Sequence, residues 1–284
     1  MSSADLEYLV FIAFAPIAAA AALLAFSAVW PYRGKLLSRS LMVYLVASAA
    51  LLLANTLELL ASTPESTLFM ASTSYAFYSA VALSWLLFSL AYSGRAHLLQ
   101  TALPYLLAAP STLVTLAAYT NEFHHLFWED VTFFRAAGFL TFRGSHGVIF
   151  WIHGVYLYAL LVTGAIIIVI TWTKGRAYYR RQASLVVAGA IVPIAANLTY
   201  VLNLFPALQK DFTSFATALA GFFFYFGVHR YSLTKVQVIP PQMVLEDVES
   251  LVIVLDPEGN VVDCNKKVEE WTGISPEALI GTDW

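Results

Sequence analysis

Seven apolar runs recur along the chain, separated by polar breaks. Each is close to the length, roughly 17–25 residues, that a helix needs to cross the hydrocarbon core of a bilayer. The first covers 8–30, with Pro16 inside it, and is followed by a basic loop holding Arg33, Lys35 and Arg39. The second covers 41–61 and ends at Ser62-Thr63-Pro64-Glu65; the third covers 68–92 and leads to Gly94-Arg95. The fourth covers 100–119, the fifth 150–172, and the sixth 183–204, where Phe205-Pro206 breaks it. A seventh starts at Thr213, after Asp211 as an N-cap residue, and ends near Val228. In lipid a backbone must satisfy its own polar groups, so these runs are read as helices. The pattern predicts an all-α membrane protein built as a seven-transmembrane helix bundle.

Thr120 to Phe150 is the long interval that is too polar to cross a membrane. It opens Thr120-Asn121-Glu122-Phe123-His124-His125-Leu126-Phe127-Trp128, which gathers amide, carboxylate, imidazole and indole groups. Two aromatic-rich segments of about five residues then flank Ala-Ala-Gly and read as a short hairpin. Structureless loops of this length are unusual outside functional lids, and Phe133, Phe134, Phe139 and Phe142 need burial. An ordered lid over 120–150, closing the mouth of the bundle, is expected.

Beyond the seventh run the composition changes. Val236 to Pro241 is a linker, because Pro240-Pro241 stops a helix from running through. Met243 to Ser250 is acidic and fits one or two helical turns. Leu251 to Leu255 is a short β-type run, Asp256-Pro257-Glu258-Gly259-Asn260 is turn chemistry, and Val261-Val262 begins a second strand. Lys266 to Thr272 reads as a helix stopped by Gly273, and Ser275-Pro276-Glu277 starts another. The expected division is a membrane domain over 1–235, a linker over 236–250, and an incomplete cytoplasmic α/β segment over 251–284.

Composition narrows the class. The chain is 60% hydrophobic and 12% charged, against about 25% charged in soluble domains, and its mean hydropathy is +0.72. A net charge of −3 gives no basis for a nucleic-acid partner, and the lone Cys264 excludes a disulfide within the chain. Asp5 and Glu7 stand where a secretory signal carries basic residues, so the first run is a span and not a cleaved leader. Ten Lys and Arg lie in the loops after the first, third, fifth and seventh runs, against Arg135, Arg143 and Lys210 on the other side. The positive-inside rule then puts the N-terminus outside, the lid extracytoplasmic and the C-terminus in the cytoplasm of a multi-pass cell-membrane protein.

Candidate chemistry sits in the lid-side half of the spans. A carboxylate or amide at mid-span costs roughly 2.5–3.5 kcal/mol, so such groups face the bundle interior. Glu58 and Asn55, one turn apart, are joined at similar depth by Tyr75 and Tyr78, by Trp151, His153 and Tyr156, and by Asn197, Tyr200 and Asn203. Glu58, Asn55, Tyr75, Tyr78, His153, Tyr156, Asn197 and Tyr200, with His124, His125 and Trp128 of the lid, are the candidate ligand-binding residues. Interhelical hydrogen bonding and an interfacial aromatic belt are the plainer reading of the same residues. His124, His125, His146 and His153 raise a metal- or haem-based redox sensor, yet no pair has helical i,i+4 spacing and no Cys joins them. No metal ligand is assigned and the cofactor is unknown. Residues 213–229 hold no lysine for a retinal Schiff base. No span carries a paired nucleophile and base, so an enzyme is not expected. A transporter or channel is the alternative, against which no inverted repeat or paired broken helices are evident.

The tail resembles the opening of a PAS domain, in Leu255 to Asn265, Trp271-Thr272-Gly273 and Ile280-Gly281. The remainder resembles the seven-transmembrane N-terminal sensing region of prokaryotic sensor histidine kinases. That resemblance rests on Leu57-Glu58-Leu59, Ala91-Tyr92-Ser93-Gly94-Arg95, Thr120-Asn121 with His124 to Trp128, Tyr179-Arg180-Arg181-Gln182, Ile191-Val192-Pro193 with Asn197, and Asp211-Phe212-Thr213. It implies a receptor for a small ligand, dimeric through its cytoplasmic regions, in a two-component system. A response regulator would be a partner of the parent kinase alone. The chain stops before any phosphoacceptor helix or ATP-binding domain, so no kinase activity is expected of it.

Overall fold

In the computed structural model the described residues of each of the seven apolar runs are largely helical. Residues 3–136, 138–174, 177–201, 204, 211–231, 250–256 and 259–283 are described. The linker 236–241 with its Pro pair, the acidic stretch up to residue 249, Lys235, Phe205-Pro206, Lys210, Arg176 and Asn203 lie outside them, as does the side chain of Tyr200.

The helices are α1 (Ser3–Val29), α2 (Leu36–Leu60), α3 (Pro64–Tyr92), α4 (Leu103–Tyr119), the single turn α5 (Asn121–His124), α6 (Val148–Lys174), α7 (Ala177–Val201), α8 (Thr213–Leu219) and α9 (Gly221–Tyr231). Among the described residues, Tyr8–Tyr32, Leu36–Leu60, Pro64–Tyr92, Val148–Thr173 and Gln182–Thr199 are long and apolar enough to cross a membrane. Leu103–Tyr119 and Thr213–Gly227 are apolar and shorter. The starts of elements follow local chemistry. Thr63 caps α3 by accepting from the Ser66 N–H while Ser66 Oγ accepts from Thr63 N–H, with Pro64 at the first helical position.

Helix α3 is the hub, packed against α2, α4 and α6, while α8 and α9 fill the space between α1, α2 and α7. Aromatic side chains tie these neighbours. Phe224 of α9 meets Tyr44 of α2 edge-on at 5.4 Å and Phe88 of α3 at 5.8 Å. Trp85 Nε1 donates to Leu161 O of α6 at 3.2 Å, and Tyr92 Oη donates to Gln182 Oε1 of α7 at 2.9 Å. Without a solvent-driven hydrophobic effect between helices, such close packing and interhelical hydrogen bonds hold a bundle together.

The crossing of α1 and α9 is a close backbone approach. Ala18, Ala21, Ala22 and Ala25 are buried on α1, and a Cβ at Gly221 would stand 2.8 Å from Ala21 O and 3.0 Å from Ala22 Cα. Both contacts are backbone, so neither can rotate away. Gly221→Leu is therefore expected to part the two helices and to cost about 1–3 kcal/mol or more, read as a lower unfolding midpoint in detergent; an unchanged midpoint would contradict this packing.

At one end of the bundle β1 (Trp128–Ala136) pairs antiparallel with β2 (Phe139–His146). The strands are longer than the five residues expected. Pairing continues from the turn at Gly138, φ 84°, out to Trp128 opposite His146, past an irregularity between Trp128 and Val131. Phe133 and Phe142 face each other across the ladder, Phe139 reaches Tyr8 of α1, and the Arg143 guanidinium lies 5.1 Å from the centre of the Phe134 ring. All four phenylalanines are thereby partly buried.

The tail holds β3 (Ile253–Leu255) antiparallel to β4 (Val261–Cys264), then α10 (Lys266–Thr272) and α11 (Pro276–Leu279). Gly273 ends α10 in the left-handed conformation, φ 71°, a position that favours glycine. Asn265 joins the pieces by donating to Ser250 O and accepting from Val252 N–H.

Candidate functional site

Two clusters lie side by side at the hairpin end of the bundle, and α3 contributes to both, Tyr75 and Ser79 to the first and Tyr78 to the second. The first is an aromatic cage around Tyr75. Its ring is 4.6 Å from Phe127, 5.8 Å from Trp128, 6.2 Å from Phe150 and 5.9 Å from His153. Three of these contacts are edge-on, the arrangement that ring quadrupoles favour. His153 is buried and its Nε2 shares a 2.9 Å hydrogen bond with Ser79 Oγ of α3.

The cage depends on one amide. Asn121 Oδ1 accepts from the backbone N–H of Phe127 at 2.9 Å and of Trp128 at 3.0 Å, while its Nδ2 donates to Trp128 O at 3.0 Å. The side chain is buried, so three backbone groups at the start of β1 have their partners inside the protein. Beside it His124 closes its own turn, with Nε2 donating to Ala117 O at 3.1 Å and Nδ1 accepting from Leu126 N–H at 2.9 Å. Both ring nitrogens are thus engaged in shaping the loop. His125 is exposed and supplies a left-handed residue, φ 53°.

The second cluster is a chain of hydrogen bonds across the helices. Tyr78, one turn along α3 from Tyr75, donates to Asp211 Oδ2 at 3.0 Å. Asp211 Oδ1 accepts from the Thr213 N–H at 2.8 Å and from the Thr213 hydroxyl. Asn197 Nδ2 of α7 donates to Thr213 Oγ1 at 3.0 Å, and its Oδ1 accepts from Tyr158 Oη of α6. Asn55 of α2 lies against the Tyr78 hydroxyl and also donates to Leu51 O at 3.1 Å. The Asp211 carboxylate therefore joins α3 to the start of α8, and Thr213 extends the chain to Asn197 of α7 and Tyr158 of α6.

Of the candidates read from the sequence, Asn55, Tyr75, Tyr78, Trp128, His153 and Asn197 fall into these two clusters. Glu58 lies one turn beyond Asn55 on α2 and is partly buried. Tyr156 goes elsewhere: its hydroxyl donates to Leu107 O of α4. Successive residues turn by about 100° in a helix, so His153 faces α3 while Tyr156 and Tyr158 diverge to α4 and α7. His124 and His125 shape the loop without entering the cage. Asp211, Asn121 and Ser79 were missed as site residues. Asp211 reads as the N-cap of the seventh run; the cap position falls instead to Phe212, and Asp211, one residue earlier, accepts from the first N–H of α8, while its second partner on α3 is invisible in sequence. Among the described residues no three His, Cys, Asp or Glu side chains converge as a metal site.

His146, outside the spans, stacks on Phe150 with ring centres 3.8 Å apart. Burial lowers its pKa below the usual imidazole value. The opened hairpin then binds a proton more readily than the packed one. Packing is fully favoured above about pH 6.5 and weakens as pH falls through the lowered value. Acidification should lower the amide protection factors over 139–146, once the intrinsic fall of the exchange rate with pH is divided out, and His146→Phe should flatten that dependence; a profile unchanged by the substitution would reject the stack as its origin.

Comparison with known proteins fits this architecture. No curated protein matches the chain significantly. Residues 14–237, most of its length, match the family model described as the N-terminal 7TM region of histidine kinase. The chain belongs to that family, the membrane-embedded, sensory and non-catalytic part of histidine kinases.

Proposed function

We propose that this chain is a receptor module whose hairpin end takes a small ligand and whose last helix carries the response inward. In this reading 1–235 forms seven spans with the N-terminus outside, 120–150 is the extracytoplasmic lid, and 236–250 links to a PAS-like segment over 251–284. The basic residues concentrated at the opposite end from the hairpin support that orientation. The β3–turn–β4–α10–α11 order supports the PAS-like reading. Asn55, Glu58, Tyr75, Tyr78, Trp128, His153 and Asn197 form the binding region. In the state described, hairpin rings fill the cage, so a ligand competes with Phe127 and Trp128 for Tyr75 and His153.

The observation that carries the proposal is the pairing of Tyr75 and Tyr78 on one helix. Tyr75 touches the lid, and Tyr78, three residues on, holds Asp211 at the start of α8. A ligand that moves the lid rings shifts α3, and α3 shifts the last helix. Two arrangements that differ in ligand affinity are all a receptor requires. Signalling then leaves through Arg230 to Lys235, and dimeric PAS domains amplify it.

The test is native mass spectrometry of the protein taken from its membrane. A bound non-lipid mass is expected, retained by wild type and reduced by Tyr75→Ala and by Glu58→Gln while helix content is unchanged. A mass bound equally by both variants would overturn the assignment of the pocket.

A further inference from the structure

A second site lies at the end of the bundle away from the hairpin. Helix α1 gives way to the tight turn Trp30–Tyr32, and α2 begins at Leu36. Trp30, Pro31, Arg33, Gly34, Arg39 and Met42 line an open concavity of about 640 Å³ there. Its two cations are held in place by the backbone. Arg33 Nη1 donates to Trp30 O at 3.2 Å, with the guanidinium 4.9 Å from the centre of the Trp30 ring. Arg39 Nε donates to Arg33 O at 2.9 Å, which folds the second guanidinium back over the turn. Among the described residues neither Arg pairs with a carboxylate. Gly34 leaves the floor open, since a Cβ there would meet nothing within 4 Å.

Two guanidinium forks with spare N–H donors suit a phosphate oxygen pair. The rest of the lining is apolar: Trp30, Pro31 and Met42. The concavity adjoins Tyr8–Tyr32 and Leu36–Leu60, both of membrane-crossing length, so it sits at a bilayer boundary. Trp and Arg at that depth place an amphipathic ring and a cation among lipid headgroups. We propose that this concavity is a binding site for the phosphodiester of an anionic phospholipid, with the glycerol backbone against Trp30 and Met42. A free phosphate shares the anionic chemistry but has no use for the apolar wall. The inference needs only that the chain is embedded in a membrane, and neither its orientation nor the ligand pocket at the other end.

The experiment uses the whole chain in nanodiscs, either of phosphatidylcholine alone or mixed with phosphatidylglycerol, and counts lipids retained on release into the mass spectrometer. Wild type is expected to keep phosphatidylglycerol selectively. Arg33→Gln/Arg39→Gln should lower that retention about tenfold or more, and Arg39→Gln alone by part of it. The charge-matched pair Arg135→Gln/Arg143→Gln, at the hairpin end, should leave it unchanged. Equal retention by Arg39→Gln and wild type, or equal loss in the control pair, would overturn the site. Inorganic phosphate bound in phosphatidylcholine discs as firmly as phosphatidylglycerol in mixed ones would overturn the lipid assignment.

Discussion

Asn121→Ala is expected to open the hairpin without unfolding the bundle. The substitution leaves the N–H groups of Phe127 and Trp128 and the carbonyl of Trp128 without partners in a buried position. Each orphaned group costs about 1–3 kcal/mol, so the three together come to about 3 kcal/mol or more. That corresponds to roughly a hundredfold faster amide exchange at Phe127 and Trp128. Asn121→Asp keeps the acceptor and loses only the donor to Trp128 O, so its effect should be much smaller. Equal exchange in Asn121→Ala and wild type would show that the loop is held by something else.

The second large effect is expected at Asp211. Asp211→Leu removes the acceptor shared by Tyr78 and Thr213, and it strands three donors, one on α3 and two at the start of α8. In a membrane no water replaces them, so the loss exceeds the approximate 1.5–3 kcal/mol of one charge-assisted hydrogen bond. Tyr78→Phe alone should cost about that amount. In an Asp211→Asn background the same Tyr78→Phe change should cost distinctly less, because its partner has already been weakened. Additive losses in unfolding midpoint would mean the two residues do not act through one another.

The helices were legible because lipid leaves the backbone few choices, and their ends fell near capping residues such as Thr63. The hairpin was legible from its aromatic runs, though its strands were set longer by cross-strand pairing that single-chain patterning does not carry. Asn55, Tyr75, Tyr78, His153 and Asn197 stood out as polar or amphipathic groups in apolar runs. Which neighbours they meet depends on helix rotation. Tyr156 shows the limit: it is three residues from His153 and looks equivalent in sequence, yet it bonds to α4. Asp211 shows the reverse, a residue just before the cap of α8 whose carboxylate also reaches across to α3. His124 stood out as chemistry and proved to be loop architecture.

The central claim is that α3 couples the lid to the last helix through Tyr75 and Tyr78. Its most direct test is hydrogen exchange on nanodisc-embedded protein carrying Trp128→Ala. Trp128 packs on Tyr75, Phe127 and Phe142 and lies outside the Asp211 hydrogen-bond chain. The account predicts faster exchange not only in the hairpin but also over Thr213–Leu219, and loss of that distant effect when Tyr78→Phe is already present. Exchange confined to the hairpin, or a distant effect that survives Tyr78→Phe, would contradict it.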